Sequence, residues 1–389
     1  MLRPLLITEN FPPGRGGMAQ SCDRIVRGLR ARGVCVDVVH LGARGDQVHV
    51  EQHEHGRLIR CPVNDDPAHA LNLLWNVLGR DTQPATHVLA FGGLVPLLCG
   101  PAFAAWLQLP LITLLRGNDF DTGVFSLRRG WMLREAIARA AVVCTVSTDQ
   151  RRKISALYPG QRVLWIPNGI DCADWNLLDM DRAAAREWRA ANVAPTRRVI
   201  GLLGHLKRKK GGAFLLDALQ GCVHAGRAHL LVVGEAEPEM LARLQALPPE
   251  IAWSHIAFTS RFDLLRWYAA CDAVAIPSLY DGMPNVLLEA GALGIPVLGS
   301  SAGGLADVLA DCAMTFAPGD LHACRRALDL TLEMPATTLC ALGGQLQQIV
   351  RQRFEQHSEA TRYHEVLADT AAHVPPRRDT ATVSMENEQ

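Results

Sequence analysis

The chain is 389 residues long, 49% hydrophobic and 20% charged, an ordinary globular balance with room for two or three domains. Its 39 basic and 39 acidic residues cancel, which argues against a protein that binds nucleic acid through overall charge. Its 11 cysteines are scattered with no C-x-x-C spacing, so reduced thiols in a cytoplasmic protein are expected rather than a disulfide framework or a zinc site.

The first apolar run, residues 5–7, is broken by Glu9 and is too short for the core of a signal peptide. It reads as a strand over 4–8, followed by a loop at 11–17. A helix over 19–32 carries Ile25, Val26 and Leu29 on one face and stops at Gly33. A strand at 34–40 and a hairpin-like alternation at 47–60 come next. No charged residue occurs from 88 to 115, which is long enough to span a bilayer. Gly92, Gly93, Pro96, Gly100, Pro101 and Pro110 cut that stretch into a strand (88–91), a helix (94–108) and a strand (111–115), the pattern of a buried strand-helix-strand unit. A loop at 116–127, a helix over 130–140 and a strand over 141–146 follow. Ser147 and Gln150 then have the spacing of a capping box. A strand at 163–166 ends in the turn Pro167-Asn168-Gly169.

Residues 171–196 read as a linker with a surface helix. A second alternation places strands at 199–203, 229–233, 255–258, 273–276, 296–298 and 314–316, with helices between them that include 213–225, 263–270 and 285–292. Two successive βα runs predict an α/β protein with two Rossmann-like, doubly wound parallel sheets, residues 1–170 and 197–345. The ligand is then expected in the cleft beyond the carboxyl ends of the strands. Helical residues 346–372 are expected to pack back on the first domain, and the polar tail 373–389 to be disordered.

The richest segment is 277–300, PSLYDGMPNVLLEAGALGIPVLGS, in which Asp281 and Glu289 have seven residues between them. Pro284 suits a first helical turn, where its missing N–H has no partner to lose. The N–H groups of that turn can face an anion, and a nearby carboxylate can accept hydrogen bonds from sugar hydroxyls. The bland alternative is an ordinary helix with a solvated Glu. The segment resembles the signature of family 4 retaining glycosyltransferases, whose two glutamates have the same separation. The resemblance extends over residues 1 to about 347. It implies a GT-B fold with the donor held mainly by the second domain. It places Glu289 on the nucleotide ribose and Asp281, one methylene shorter than the usual Glu, on the donor sugar. Gly282, Met283, Pro284 and Asn285 belong to the same loop.

Gly204-His205-Leu206-Lys207-Arg208-Lys209-Lys210-Gly211 lies between an apolar strand and a helix. A glycine turn with cations at a helix start is an anion cradle; a basic surface turn is the alternative. It resembles the family's diphosphate site, which begins G-R and ends K-G. Lys210 matches the lysine, His205 replaces the arginine, and Arg208 is the candidate substitute for it. In the loop FPPGRGG, Gly16 and Gly17 match the family's N-terminal glycine loop, where the backbone approaches ligand closely. Arg116-Gly117-Asn118-Asp119 follows the strand 111–115, where the family often has histidine before glycine. Arg116 cannot be a base at neutral pH, but it can hold a phosphate or an anionic acceptor; a surface arginine in a turn is the alternative. Gly303-Gly304 matches a glycine pair near the cleft, and IPNGID at 166–171 the entry to the linker. The D-x-D spacings at 119–121 and 179–181 read as chance, and His53-Glu54-His55 lacks a third ligand, so no metal is expected.

The resemblance therefore implies a retaining, hexosyltransferase-like enzyme. It would move a sugar from a nucleotide diphosphate to a glycan, a lipid-linked or a small-molecule acceptor, with no cofactor required. Lys210, Asp281 and Arg116 are its candidate catalytic residues. Glu289, His205, Arg208, Gly204 and residues 282–285 would bind the donor, while Gly16, Gly17, Asn118, Asp119, Gly303 and Gly304 line the cleft. An acceptor held in lipid would bring the 94–108 helix or the 120–131 loop to a membrane surface. The alternatives are another GT-B enzyme, such as a nucleotide-sugar epimerase or a phosphorylase, and a non-catalytic nucleotide-sugar binder.

Overall fold

A computed structural model describes residues 1–372 except 15, 44–46, 64, 65, 82, 258 and 311; the tail 373–389 lies outside the described residues. The first sheet contains β1 (Pro4–Thr8), β2 (Asp37–Ala43), β3 (His49–His53), β4 (Gly56–Pro62), β5 (His87–Phe91), β6 (Leu111–Leu115), β7 (Val142–Thr145) and β8 (Val163–Trp165). Its order is β3-β4-β2-β1-β5-β6-β7-β8, parallel throughout except for the β3–β4 hairpin. The second sheet contains β9 (Arg198–Leu203), β10 (Ala228–Val233), β11 (Ala252–Ile256), β12 (Ala273–Ile276), β13 (Val297–Ser300) and β14 (Thr315–Phe316). It is wholly parallel, in the order β11-β10-β9-β12-β13-β14.

In each sheet the chain winds outward from the first strand and then returns to its other side, so the order reverses at β1 and again at β9. Ligands bind at such switch points, beyond the carboxyl ends of the strands. The loops that leave β1 and β9 carry Gly16-Gly17 and Gly204–Gly211. Strands β1, β5, β6, β7, β10 and β12 are buried along their whole length. Covered on both faces, they are mostly apolar, and the few polar residues among them, such as Thr113, which donates to Ala136 O at 2.7 Å, find partners inside. Among the described residues no helix is long and apolar enough to cross a membrane.

Several boundaries differ from the expected ones. Strand β2 starts at Asp37 rather than 34, since Cys35 N instead donates to Leu2 O at 3.1 Å. Strand β11 starts at Ala252 because it pairs in register with β10 from His229 onward. The helix Pro67–Gly79 was not expected, and Pro238–Gln245 was expected only as one of the helices between the second-domain strands. Both begin with proline in the first turn, and Asp66 caps the former by accepting from Ala68 N and His69 N.

The C-terminal segment divides between the domains. Residues 346–353, expected on the first domain, belong to the helix Ala336–Arg353 and lie on the second, where Leu346 and Val350 close over Gly291. The chain crosses back beside the linker: Ile170 N donates to Phe354 O at 2.8 Å, and Gln356 N to Ile170 O at 2.9 Å. The last helix, Gln356–Ala372, then packs on the helix Gly17–Arg30 so closely that a Cβ on Gly28 would come within 2.7 Å of Ala360 Cβ.

This last helix also reaches β5. The buried His87 ring places Nδ1 2.9 Å from Thr86 Oγ1 and Nε2 3.0 Å from Thr370 Oγ1. Burial lowers its pKa from 6.5 to about 4. Between those values the unfolded chain takes up a proton that the folded chain refuses, so stability falls as the pH drops through this window. The loss should approach about 3 kcal/mol below about pH 4. Urea unfolding at about pH 7 and pH 4.5 should show His87→Gln losing less stability on acidification than the wild type; equal losses would clear His87 of the effect.

Candidate active site

The anion cradle begins where β9 ends. Gly204 has φ +100°, and Leu206 N donates to Glu235 O at 2.9 Å, tying the loop to the one after β10. A single 3-10 turn, Arg208–Lys210, leads through Gly211 into the helix Gly212–Gln220. Gly211 has φ +72°, and a Cβ there would overlap the Pro277 carbonyl oxygen, so only glycine fits. Leu279 N donates to Lys209 O at 2.9 Å and pulls the loop after β12 alongside.

That loop brings Asp281 to the lysines. Lys210 Nζ donates to Asp281 Oδ2, and Lys209 Nζ lies 3.9 Å from Oδ1. Ser278 Oγ at 3.4 Å and Gly282 N at 3.0 Å also donate to this buried carboxylate. Burial lowers the Lys209 pKa, with Asp281 opposing the shift. His205 and Arg208 stand further out. His205 is half-exposed, with Nδ1 3.9 Å from Glu235 Oε2, and Arg208 is exposed with no ion pair among the described residues.

The helix Asn285–Ala292 starts at Pro284, and no side chain caps its first N–H groups. Glu289 lies in its second turn, buried, and accepts from Tyr268 Oη at 2.6 Å. Burial, then the Glu289 charge, push the Tyr268 phenol well above its usual pKa, so it stays a donor. Glu289 lines a pocket of about 280 Å³ with Thr259, Ser260 and Leu264 of the second domain and Gln20 and Arg24 of the first.

The two domains meet over this loop. Gly117, with φ +129°, lies against Gly282, so that a Cβ on it would fall 2.7 Å from Gly282 N. Asn168 Nδ2 donates to Met283 O at 2.8 Å, and Asn285 Nδ2 to Gln20 Oε1 at 3.1 Å. A Cβ on Gly17 would sit 3.5 Å from Asn285 Nδ2, whereas one on Gly16 would meet nothing within 4 Å. Gly304 N donates to Gly282 O at 2.5 Å, and Gly303, with φ +53°, leaves no room for a Cβ beside Asp281 O. Further along, Asp307 of the second domain accepts from Thr148 N at 3.0 Å and from Thr148 Oγ1, at the start of a first-domain helix.

Arg116 is placed differently from its expected role. Its buried guanidinium donates to Tyr363 Oη at 3.0 Å and to Asn168 Oδ1, lies 3.8 Å from Glu359 Oε1, and sits over the Phe91 ring. Those contacts bind it to the linker and the last helix, which leaves it a brace rather than a free anion clamp. Asp119 is likewise spent within its own loop, accepting from Arg116 N, Gly117 N and Phe120 N at 2.8–2.9 Å. The Asn118 side chain lies outside the described part of the chain. Thr259, Ser260, Tyr268 and Arg24 were not singled out in the sequence, and Asn168 was expected only as a turn residue entering the linker. The one local signal among them was Ser260-x-x-Asp263, a helix-start spacing realised as Asp263 N donating to Ser260 Oγ at 3.1 Å. Among the described residues no group of three or more His, Cys, Asp or Glu is placed to hold a metal.

Comparison with known proteins adds to this geometry. Residues 16–169 match the family model "Glycosyl transferase 4-like domain", and residues 197–333 match "Glycosyl transferases group 1". An uncharacterised glycosyltransferase of Methanocaldococcus jannaschii is 28% identical over 173 residues, 43% of this chain and 44% of that protein. The D-inositol 3-phosphate glycosyltransferase of Corynebacterium jeikeium is 28% identical over 335 residues, 75% of this chain and 76% of that one. The sucrose-phosphate synthase structure from Thermosynechococcus elongatus superposes with a TM-score of 0.78 at 18% identity, over 96% of this chain and 100% of that one. Two parallel-sheet domains around one cleft, with these matches, define a glycosyltransferase of GT-B fold. Within that class the chain resembles the family 4 enzymes, with a 4-like domain in its first half and a group 1 domain in its second.

Proposed function

We propose that the protein is a retaining, hexosyltransferase-like enzyme that moves a sugar from a nucleoside diphosphate to a glycan, lipid-linked or small-molecule acceptor on the cytoplasmic side. The observation that carries this reading is the convergence of Lys210, Asp281 and the uncapped helix start before Glu289 at the switch point of the second sheet. In this reading Glu289 accepts from the ribose hydroxyls in the pocket it shares with Thr259 and Ser260. The diphosphate takes Lys210 over from Asp281, with Lys209 behind it and His205 and Arg208 at the rim. Asp281 is then freed to accept hydrogen bonds from the sugar.

As the bond from the anomeric carbon to the phosphate oxygen breaks, negative charge grows on the phosphate. In this reading the lysines and the helix N–H groups stabilise that charge. The acceptor approaches on the leaving-group face, its oxygen bonds to the anomeric carbon with retention, and its proton passes to the departing phosphate. Fixed cations supply the charge in this scheme, so no metal or other cofactor is needed. The inositol phosphate in one relative's name supports a polar, hydroxyl-bearing acceptor.

The test is turnover and nucleotide binding with purified protein. Lys210→Ala should cost on the order of 3 kcal/mol, or ~100-fold in kcat. A nucleotide at about 100 times its Kd should stabilise the wild type by roughly 2.7 kcal/mol without divalent metal, and Glu289→Ala should abolish this shift. Wild-type turnover in Lys210→Ala, or a product of inverted anomeric configuration, would sink the reading.

A further inference from the structure

The first domain exposes a protruding apolar rim. Phe125 is 87% exposed, Leu127 102% and Trp131 60%. Leu127 and Trp131 are four residues apart on the helix Leu127–Ala138 and share a face. Phe125 directly precedes Ser126, whose hydroxyl caps that helix by accepting from Arg129 N at 3.2 Å. The helix Val95–Leu107 packs beside it, and exposed Leu94 and Leu98 lie at its start. The two helices leave the carboxyl ends of neighbouring strands, β5 and β6. Their first turns therefore lie along one edge of the domain, the edge that bears the cleft.

Around Phe125, Leu127 and Trp131 the unpaired charge is basic, while Glu9 accepts from Leu94 N at 2.7 Å at the far end of the rim. Arg128, Arg129 and Arg134 are exposed, and none has an acidic partner among the described residues. The one acidic residue of the helix, Glu135, pairs with Arg139 at 2.6 Å. Scattered apolar residues on a surface need no explanation, but a cluster rimmed by unpaired arginines does. A protein partner would need sockets for side chains that stand almost fully clear of the surface. A bilayer interface accepts such side chains without sockets: tryptophan rests at headgroup level, leucine and phenylalanine enter the acyl boundary, and arginines meet lipid phosphates.

We propose that this rim docks the protein on an anionic lipid surface, which would bring the mouth of the cleft to the membrane. The proposal goes beyond the donor chemistry and does not depend on it, because binding to lipid is measured without turnover.

The experiment is co-sedimentation of the full chain with vesicles of phosphatidylcholine alone, and with vesicles in which about a third of the lipid is phosphatidylglycerol. The wild type should bind the anionic vesicles, and more weakly at high salt. Arg128→Glu with Arg129→Glu should weaken that binding by about tenfold or more. Phe125→Ser, Leu127→Ser and Trp131→Ser together should abolish it, with an unchanged melting temperature that shows the fold intact. Lys210→Ala should bind vesicles like the wild type, so failure of the donor reading would leave this result standing. Absence of binding to anionic vesicles, or binding that both rim variants retain, would overturn the proposal. So would self-association of the wild type that the serine variant loses, which would assign the rim to a second copy.

Discussion

Glu359→Ala is expected to destabilise the folded chain by about 3 to 5 kcal/mol, the cost of stranding buried charge. Glu359 Oε2 accepts from Arg24 Nε at 2.7 Å and from Gly169 N at 3.0 Å, and Oε1 lies 3.4 Å from Arg24 Nη2 and 3.8 Å from Arg116 Nη2. One buried carboxylate thus serves two buried guanidiniums and the backbone of the linker. Removing it leaves Arg116 enclosed and Arg24 at the pocket wall, both without their carboxylate. Glu359→Gln keeps an acceptor for Gly169 N but loses the charge, so it should fall between the wild type and the alanine variant. Urea denaturation at constant m-value measures the effect. A loss below about 1 kcal/mol for Glu359→Ala would mean the arginines find other partners or solvent.

Gly282→Ala should lower kcat by about 100-fold while leaving nucleotide binding largely intact. A Cβ at this position would overlap the Arg116 carbonyl oxygen and sit 3.0 Å from Gly117 Cα, both in the opposite domain. Backbone on both sides cannot yield as a flexible side chain would, so the domains must part. A misplacement near 1 Å between donor and acceptor sides is enough for a loss of this size. Glu289, Thr259 and Ser260 all belong to the second domain, so the thermal shift with nucleotide should persist. Wild-type turnover in Gly282→Ala would show that this close approach is not required for the reaction.

The fold was legible where a physical demand is local. Residues 4–8 and 111–115 are apolar but for one threonine each because both faces are covered, and they read as strands without any knowledge of their neighbours. The helix Pro67–Gly79 also carried a local signal, Asp66 before Pro67, but a proline beside polar residues reads equally well as a turn. The segments around Lys210 and Glu289 stood out for the same reason as the strands: a glycine turn, cations and a helix start lie within a few residues of one another. The direction of each side chain did not. Arg208 is as cationic in the sequence as Lys210, yet only the turn at 208–210 decides which of them reaches Asp281. Arg24 and Glu359 are 335 positions apart, and nothing near either residue names the other. Tyr268 reads as core, which it is, while its one polar atom holds Glu289. The brace on Arg116 escaped notice because its partners, Asn168 in the linker turn and Glu359 and Tyr363 on the last helix, lie far from it in the chain.

The chain passes between the domains twice, at Ile170 and at Phe354–Gln356, and the two passes are hydrogen-bonded side by side. A door hung on two adjacent pins can swing, but it cannot slide or come off. Because the two crossings lie together, the cleft can open by rotation about them without breaking their hydrogen bonds. The same arrangement makes the first domain discontinuous, since the helix that completes it arrives last from the chain. A permuted gene that begins at residue 356 and joins 372 to residue 1 through a flexible link would make each domain an unbroken stretch. It would also leave the door on a single pin.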